Sequence, residues 1–243
     1  MPLDAAPRAR FVAGGAHQGK PVTYAAPLAD IRFLLRRIAP VARLTALPRY
    51  AHVEAEDVDR ALAEAARIAE QVIAPVNAPG DAEGARLENG VVVTPKGYRE
   101  AYAQVRAGSW TGLSLPVEHG GQGMPQLVQT VFTEMVSGAG LAFGMALISS
   151  VGGAKVIAAH ATPAQAAMFL PQLADGSATA TIVMTEPHAG SDIGLARTRA
   201  VRQGDGSYAL SGTEIFISFG DHDLCEQILH IVLARTPDAP PGI

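Results

Sequence analysis

The sequence predicts an α+β fold in which a helical N-terminal block is followed by an antiparallel β block. Apolar residues recur at helical spacing through the first two-thirds of the 243-residue chain. After Gly176 the segments become short and rich in β-branched residues. Hydrophobic residues make up 48% of the chain and charged residues 17%, so most of the chain has the composition of a globular protein with a buried core.

An apolar stripe and end signals mark the first predicted helices. One face of Asp57–Ala74 is apolar, and Pro75 is expected to end that helix. A second helix is predicted over Lys96–Ala107, with Thr94 as its cap and Gly108 at its end. The stripe of the first helix consists of Val58, Leu62, Ala65, Ile68, Ala69 and Val72.

Three more helices are predicted before the β block. Pro125–Ser137 and Leu141–Ala161 form the third and fourth, and the glycines of the fourth are possible breaks. The fifth begins after Thr162, because Thr162 and Gln165 have the spacing of a capping box. We expect it to end near Gly176.

An uncharged stretch, Met135–Ala154, runs for 20 residues and approaches the length of a membrane span. Its many small and polar positions instead favour close packing between buried helices. We therefore predict a buried helix and no stable membrane span. These positions are Ser137, Gly138, Gly140, Gly144, Ser149, Ser150, Gly152 and Gly153.

The β block contains several short strands and one strong turn signal, Gln203–Gly206. Four or five strands with one face to cover do not make a finished domain, so we expect the block to be incomplete. The predicted organisation is a mobile extension (1–21), a helical domain (22–177) and an incomplete β domain (178–243). The predicted strands are Ala178–Met184, Thr198–Arg202, Ser207–Ser211, Ile215–Ser218 and Ile228–Leu233.

Charge and cysteine content exclude several classes of function. A net charge of −4 offers no basic surface for nucleic acid, so no nucleic-acid partner is expected. Cys225 is the only cysteine, which excludes an intrachain disulfide and fits a reducing compartment. Residues 1–20 lack the apolar core of a secretory signal, and a cytoplasmic location is expected. The seven histidines show no metal-ligand spacing, so no metal site is predicted.

The most informative stretch is Thr181–Asp192, where a β-type run opens into a loop of small residues. Such a strand end can present backbone N–H groups and the Thr185 hydroxyl to a flat heteroaromatic ring. Gly190 lets a phosphate approach closely, and Ser191 offers it a donor. On these residues alone, an ordinary strand and turn remains the alternative.

That stretch resembles the T-E-P-x-x-G-S-D signature of the acyl-CoA dehydrogenases, a long and specific motif. Leu210–Ser218 resembles the I-x-G-x-K-x-W-I-T strand of the same family, and Gly112–Gly123 resembles its loop before a long helix. Tyr24–Phe33 and Val232–Gly242 are similar to a bacterial branch that includes 3-methylmercaptopropionyl-CoA dehydrogenase. Members of this branch share a fold and a reaction type but differ in their acyl substrates.

The resemblance implies a helical N-domain, a barrel-like β domain and a helical C-terminal domain, which this chain is expected to lack through truncation. It also implies FAD as cofactor, an acyl-CoA substrate, an electron-transfer flavoprotein as acceptor, and a homo-oligomer at full length. The residues implied to bind the flavin are Ile182, Met184, Thr185, Gly190, Ser191, Phe216, Ile217 and Ser218. Ser191 is also expected to contact the substrate.

Three positions depart from the family pattern. Phe216 stands at the usual tryptophan position and keeps an aromatic face without the indole N–H. Glu214 replaces a commonly basic residue, and Phe219 stands where a small polar residue is usual.

The implied reaction is FAD-dependent α,β-dehydrogenation of an acyl-CoA thioester. The family's base belongs to the C-terminal domain, so no catalytic residue is named in this chain. Glu186 is a carboxylate within the motif, but its position there is structural. The isolated chain is therefore expected to bind FAD weakly or not at all, and to be inactive.

An alternative from another class is a non-catalytic interaction or dimerisation module. The missing base and the exposed strand edges of an incomplete β domain motivate it. A stable, monodisperse protein without flavin affinity would favour this alternative.

Overall fold

The computed structural model describes residues 24–240 and residue 242. The predicted mobile extension, residues 1–21, lies outside the described residues. Helices fill most of the chain up to residue 174, and the strands of the predicted β block follow, which confirms the α+β fold class. The proposed domain boundary between 177 and 178 stays a prediction.

Seven α-helices lie within the described residues, and α3, α5 and α7 correspond to the predicted first, second and fifth helices. Helices α1, α2 and α4 were not predicted from the sequence. The helices are α1 (Leu28–Arg37), α2 (Val41–Thr45), α3 (Ala55–Ile68), α4 (Ala74–Glu83), α5 (Tyr98–Ala107), α6 (Gln126–His160) and α7 (Pro163–Ala174). Short 3₁₀ turns cover Pro48–Tyr50, Trp110–Gly112, Val117–His119 and Ile193–Leu195.

Pro75 does not end the first predicted helix. α3 passes into a π-helical turn, Ala69–Ile73, and then directly into α4. Pro75 occupies the first turn of α4, where the missing N–H of proline is tolerated. The helical path therefore continues to Glu83.

The predicted third and fourth helices form a single helix, α6. Gly140 departs from helical geometry, with φ −174° and ψ 88°, so the glycine break is a kink within one element. By length and composition α6 could cross a membrane, yet 44% of its most apolar 18-residue window is buried inside the structure. Its residues belong to both hydrophobic clusters found within residues 24–240, which is the pattern of a core helix.

A small hairpin in the helical block was not predicted. β1 (Arg86–Glu88) pairs antiparallel with β2 (Val91–Val93). Asn89 and Gly90 connect them, with φ of 52° and 82°. An Asn-Gly pair with positive φ is the usual two-residue hairpin turn, so the dipeptide was the available signal.

The β block departs from its predicted pairing. β3 (Ala178–Val183) pairs parallel with β6 (Gln227–Val232), and β4 (Arg199–Arg202) pairs antiparallel with β5 (Tyr208–Ser211). Only the second pairing follows the antiparallel expectation. Turn signals determine local hairpins, whereas the direction of distant strands depends on the long connection between them. The predicted strand Ile215–Ser218 is irregular backbone.

Two hydrophobic clusters form the core. The larger contains Ile68, Tyr102, Met135 and Phe143, and it lies among the helices. The smaller gathers residues from α6, α7 and β3: Ala154, Ile157, Leu170, Leu173, Ala178 and Ala180 are among its members. β3 is therefore packed directly against the helices rather than held apart from them.

The contact between α6 and β3 depends on small residues. The Ser150 hydroxyl accepts a hydrogen bond from the Ala180 N–H at 3.1 Å and donates one to the Ala146 carbonyl at 2.7 Å. At Gly153, an added Cβ would lie 2.5 Å from the Ala180 Cβ. The helix and the strand therefore approach more closely than any larger side chain at position 153 allows.

A second connection joins the loop before β6 to the helical block. The Asp223 carboxylate accepts hydrogen bonds from the Thr94 N–H at 3.1 Å and the Thr94 hydroxyl at 2.6 Å. Thr94 therefore does not cap α5 as predicted, since Gly97 occupies that position. Burial raises the pKa of Asp223, but the hydrogen bonds from Thr94 outweigh burial and the net pKa is lowered.

We expect Asp223→Asn to weaken the acid dependence of unfolding. A lowered folded-state pKa gives stability that is present above the unfolded pKa of about 3.9 and is lost as pH falls below it. The melting temperature should therefore fall less between pH 5 and pH 3 in Asp223→Asn than in the unaltered chain. Exposed Asp238→Asn is the control, and equal acid dependence in all three proteins would contradict the assignment.

Candidate functional site

The predicted flavin-contact surface begins where β3 ends. Ile182 is half-buried near the end of the strand, and the β3–β6 pairing stops at Val183. Met184 and Thr185 continue as irregular, half-buried backbone. Thr181 and Val183 within the strand are buried, so the chain becomes more accessible only after the strand ends, at Met184 and Thr185.

A backbone hydrogen bond joins this strand end to the second predicted segment. The Ile215 N–H donates to the Thr185 carbonyl at 2.8 Å. Two motifs about 30 residues apart in sequence are thus adjacent in space, as a shared ring-binding surface requires. Phe216, the next residue, is 88% exposed.

Phe216 has φ of 59°, in the left-handed region. This conformation costs a residue with a side chain about 1–2 kcal/mol. Unfavourable backbone of this kind is concentrated at functional sites, where surrounding structure maintains it. The aromatic ring of Phe216 is therefore exposed to solvent on a backbone of unfavourable φ, instead of being buried.

The residues after Phe216 have separate environments. Ile217 is half-buried and Ser218 is exposed. Phe219 packs against the larger hydrophobic cluster and lies edge-on to His222, with ring centroids 5.7 Å apart. Phe219 thus anchors the segment to the helices, which explains why a large apolar residue is accommodated there.

Glu186 organises the loop that follows β3. Its side chain is 4% exposed, and Oε1 accepts hydrogen bonds from the N–H groups of Arg197 and Thr198, both at 2.7 Å. His188 Nε2 lies 3.2 Å from Oε2. The Glu186 and Ala189 backbones exchange hydrogen bonds of 3.0 and 3.1 Å, which closes a tight turn.

The electrostatics of Glu186 suit a structural carboxylate. Burial, the largest influence, raises its pKa, but the hydrogen bonds from Thr198 and Arg197 and the proximity of His188 together lower it below its ordinary value. A carboxylate that is ionised and saturated with backbone donors is a poor proton acceptor. This geometry agrees with the structural position assigned to Glu186.

The predicted phosphate-contact loop carries Gly190 and Ser191, and both are exposed. An added Cβ on Gly190 would meet nothing within 4 Å, so the loop leaves open space there. Asp192 accepts a hydrogen bond from the Gly194 N–H at 3.1 Å. The loop is therefore ordered at its end but open where a phosphate is expected to approach.

The residue that holds the far side of this loop, Arg235, was not predicted from the sequence. Arg235 donates to the carbonyls of Gly194 at 2.6 Å and Ala196 at 2.7 Å, and also to those of Pro240 and Gly242. The Arg235 backbone pairs with Thr198 and Ala200. No local signal marked this role, because the loop carbonyls of Gly194 and Ala196 lie about 40 residues earlier in the sequence.

The predicted residues thus form two groups. Met184, Thr185 and Phe216 lie on joined segments and present a half-buried strand end, a hydroxyl and an exposed aromatic face, which suit a flat heteroaromatic ring. Gly190 and Ser191 lie beyond the turn closed by Glu186, in an open loop that suits a phosphate. The residues present are therefore compatible with a dinucleotide-type flavin. Across residues 24–240, no group of three or more His, Cys, Asp or Glu side chains has the geometry to hold a metal.

The sequence is similar to those of known proteins. A sequence model of the acyl-CoA dehydrogenase N-terminal domain matches residues 55–177. A 3-methylmercaptopropionyl-CoA dehydrogenase of Ruegeria pomeroyi is 46% identical over 222 residues, which cover 91% of this chain and 38% of the relative. A butyryl-CoA dehydrogenase of Syntrophomonas wolfei is 31% identical over 226 residues, covering 90% of this chain and 37% of the relative.

Solved structures agree with the sequence relatives. The butyryl-CoA dehydrogenase of Megasphaera elsdenii superposes with a TM-score of 0.58 at 26% identity, over 67% of this chain and 41% of that chain. The present chain spans less than two-fifths of the length of the two curated relatives above.

Proposed function

The chain belongs to the acyl-CoA dehydrogenase family, and on that premise we propose that it supplies flavin-contact surface to an FAD-dependent enzyme acting on acyl-CoA thioesters. The reaction is α,β-dehydrogenation to an enoyl-CoA. The acyl group is of the fatty acyl or 3-methylmercaptopropionyl type, in keeping with the names of the relatives.

One observation carries the proposal: the hydrogen bond from the Ile215 N–H to the Thr185 carbonyl, 2.8 Å long. It joins the strand end after β3 to the residue that directly precedes Phe216, whose ring is exposed. The strand end alone could contact only the edge of a flavin ring, and Phe216 alone could contact only its face. In this proposal the strand end supplies an edge contact to the flavin ring and Phe216 supplies a face contact.

The residues of this chain bind and orient rather than transfer protons. Phe216 offers its aromatic face for stacking, and the Thr185 hydroxyl offers a hydrogen bond at the ring edge. Glu186 fixes the turn that leads to Gly190 and Ser191, where the Ser191 hydroxyl donates to a phosphate of the cofactor or of the substrate. The bound flavin supplies the capacity to accept the β-hydrogen as a hydride. The base for the α-proton comes from outside these residues.

The proposal is tested by turnover of the complete gene product that contains this segment. We expect the complete gene product to reduce an artificial electron-accepting dye, and we expect this reduction to require both FAD and an acyl-CoA. Butyryl-, octanoyl- and 3-methylmercaptopropionyl-CoA are compared as substrates. The 243-residue chain by itself should give no turnover. Failure of every acyl-CoA to reduce the dye would refute the proposed reaction, and turnover by the chain alone would refute the external base.

Replacing Phe216 by alanine is expected to weaken flavin binding about tenfold, since stacking of an aromatic side chain on a base contributes roughly 1–3 kcal/mol. Phe216→Trp should retain the affinity. The measurement is quenching of FAD fluorescence on titration, in the complete gene product if the chain alone does not bind. Tyr208→Ala removes another exposed aromatic ring, on β5, and should leave FAD affinity unchanged. Equal affinity in Phe216→Ala would contradict the stacking role.

Three further assignments follow from the same premise. We propose that the full-length enzyme forms a homo-oligomer, passes electrons to an electron-transfer flavoprotein and works in the cytoplasm. Oligomeric state is measured by light scattering coupled to gel filtration. Transfer is measured as acyl-CoA-dependent reduction of a purified electron-transfer flavoprotein.

A non-catalytic interaction module remains the second candidate, and the β4–β5 hairpin favours it. Every residue of β5 is exposed, with Tyr208 and Leu210 more than half accessible. Exposed apolar strand edges of this kind pair readily with other chains. Concentration-dependent dimerisation that Leu210→Lys abolishes, in a protein without flavin affinity, would support this candidate against the enzyme.

A further inference from the structure

A solvent-open cavity of about 320 Å³ lies in the β block, and Ile217 of the predicted flavin-contact segment forms part of its lining. Its apolar wall includes Val183, Ile217 and Val232. Its polar wall includes Glu214 and His230. The cavity therefore combines an aliphatic lining with a carboxylate.

Only one of the two carboxylate oxygens of Glu214 has a hydrogen-bond partner within residues 24–240. Its Oε1 accepts a hydrogen bond from the Thr198 hydroxyl at 2.6 Å. Its Oε2 is buried and, within residues 24–240, has no hydrogen-bond partner. Buried polar atoms are almost always paired, so an unpaired carboxylate oxygen in a cavity indicates a missing partner.

Glu214 cannot readily turn away to find another partner. Thr198 is fixed through its own N–H, which donates to Glu186 at 2.7 Å. Gly212 presses on Thr198 so closely that an added Cβ would lie 2.1 Å from its hydroxyl oxygen. Thr198 therefore fixes the Glu214 carboxylate, and Thr198 is itself fixed by Glu186 and by close packing against Gly212.

The missing partner is a hydrogen-bond donor. An ionised Oε2 accepts only, and a protonated one would itself lack an acceptor. The other titratable side chain in the wall, His230, has its Nδ1 2.7 Å from the Thr181 hydroxyl. A buried carboxylate is most strongly stabilised by a cationic donor, and the aliphatic wall suits a donor with an apolar stem.

We propose that this cavity binds a primary ammonium group on a short aliphatic stem, which donates to Glu214 Oε2. The stem lies along Val183, Ile217 and Val232. A lysine side chain of another polypeptide segment and a free alkylamine share this chemistry. The hydrogen-bonding group of this site, Glu214, is not one of the predicted flavin-binding residues, although Ile217 in its apolar wall is.

The test uses the 243-residue chain without FAD, labelled with ¹³C in its isoleucine and valine methyl groups. Butylammonium chloride is exchanged for sodium chloride at constant chloride concentration. Expected are saturable shifts of the Val183, Ile217 and Val232 methyl resonances. In Glu214→Gln the affinity should fall by at least about tenfold, the usual scale for loss of a charge-assisted hydrogen bond. Glu226→Gln changes an exposed glutamate and should retain the affinity.

Tetramethylammonium has the same charge but no N–H group, so it should shift none of these methyls. This comparison uses the unaltered chain and decides the matter even if Glu214→Gln does not fold. Nα-acetyl-lysine methylamide distinguishes a lysine side chain from a free alkylamine as the natural ligand. If it binds as tightly as butylammonium, the ligand is a lysine side chain; if it does not bind, the ligand is a free amine. Absence of saturable shifts, equal shifts with tetramethylammonium, or full affinity in Glu214→Gln would overturn the site.

Discussion

Gly153→Ala is expected to lower the free energy of unfolding of the chain by about 1–3 kcal/mol, the usual cost of overpacking a core contact. The added Cβ would lie 2.5 Å from the Ala180 Cβ, far inside ordinary contact distance. Helix and strand must then separate, which strains the hydrogen bond between Ser150 and the Ala180 N–H. Urea unfolding followed by circular dichroism measures the change.

Gly152 provides a matched control one residue away in the same helix. An added Cβ there meets nothing within 4 Å. Gly152→Ala should therefore raise the free energy of unfolding by about 0.5–1 kcal/mol, because alanine is the better helix former. Combining Gly153→Ala with Ala180→Gly should cost less than the sum of the two single changes. Equal effects at 152 and 153 would contradict the close packing of α6 on β3.

Glu186→Ala is expected to lower the free energy of unfolding by about 2–4 kcal/mol, since it leaves two backbone donors without an acceptor. Those donors are the N–H groups of Arg197 and Thr198, and Thr198 is buried. The same change removes the brace of the loop that carries Gly190 and Ser191. We therefore also expect loss of FAD affinity in the complete gene product.

Glu186→Gln separates the structural role from a proton-transfer role. The amide retains an acceptor oxygen for one or both N–H groups, so stability should fall by less than half as much as in Glu186→Ala. If the complete enzyme retains most of its turnover in Glu186→Gln, the carboxylate acts by positioning. A loss of turnover of many orders of magnitude with intact FAD binding would instead make Glu186 the base. Asp192→Ala, at an exposed acceptor, should cost less than about 1 kcal/mol.

Helices with strong local signals were predictable from sequence. The Thr162–Gln165 capping box starts α7, with the Gln165 N–H donating to the Thr162 hydroxyl at 3.3 Å. The apolar stripe of α3 faces the larger hydrophobic cluster. Both features depend on residues within four positions of each other, which is the range over which helical hydrogen bonds act. The β1–β2 hairpin had an equally local signal in Asn89-Gly90.

The direction of β6 and the path around Pro75 were not predictable in this way. Strands β3 and β6 are more than 40 residues apart, and their pairing depends on how the intervening loop and hairpin pack. Pro75 is tolerated because the π turn before it moves the proline into a first-turn position. These outcomes depend on tertiary packing, which a local pattern does not encode.

By itself, the sequence determined the α+β class and most helices, and it led to the prediction of two flavin-contact segments, because each is a local pattern of residue types. Only the tertiary structure decided that Thr185 and Phe216 adjoin, that Glu186 and Arg235 hold the loop between them, and that Glu214 has an unpaired oxygen. The physical reason is that these facts depend on groups distant in sequence, since the hydrogen bonds of Thr185, Glu186 and Arg235 named here join residues 11 to 41 positions apart. Such contacts are set by the closure of the chain around a common core, rather than by preferences of neighbouring residues.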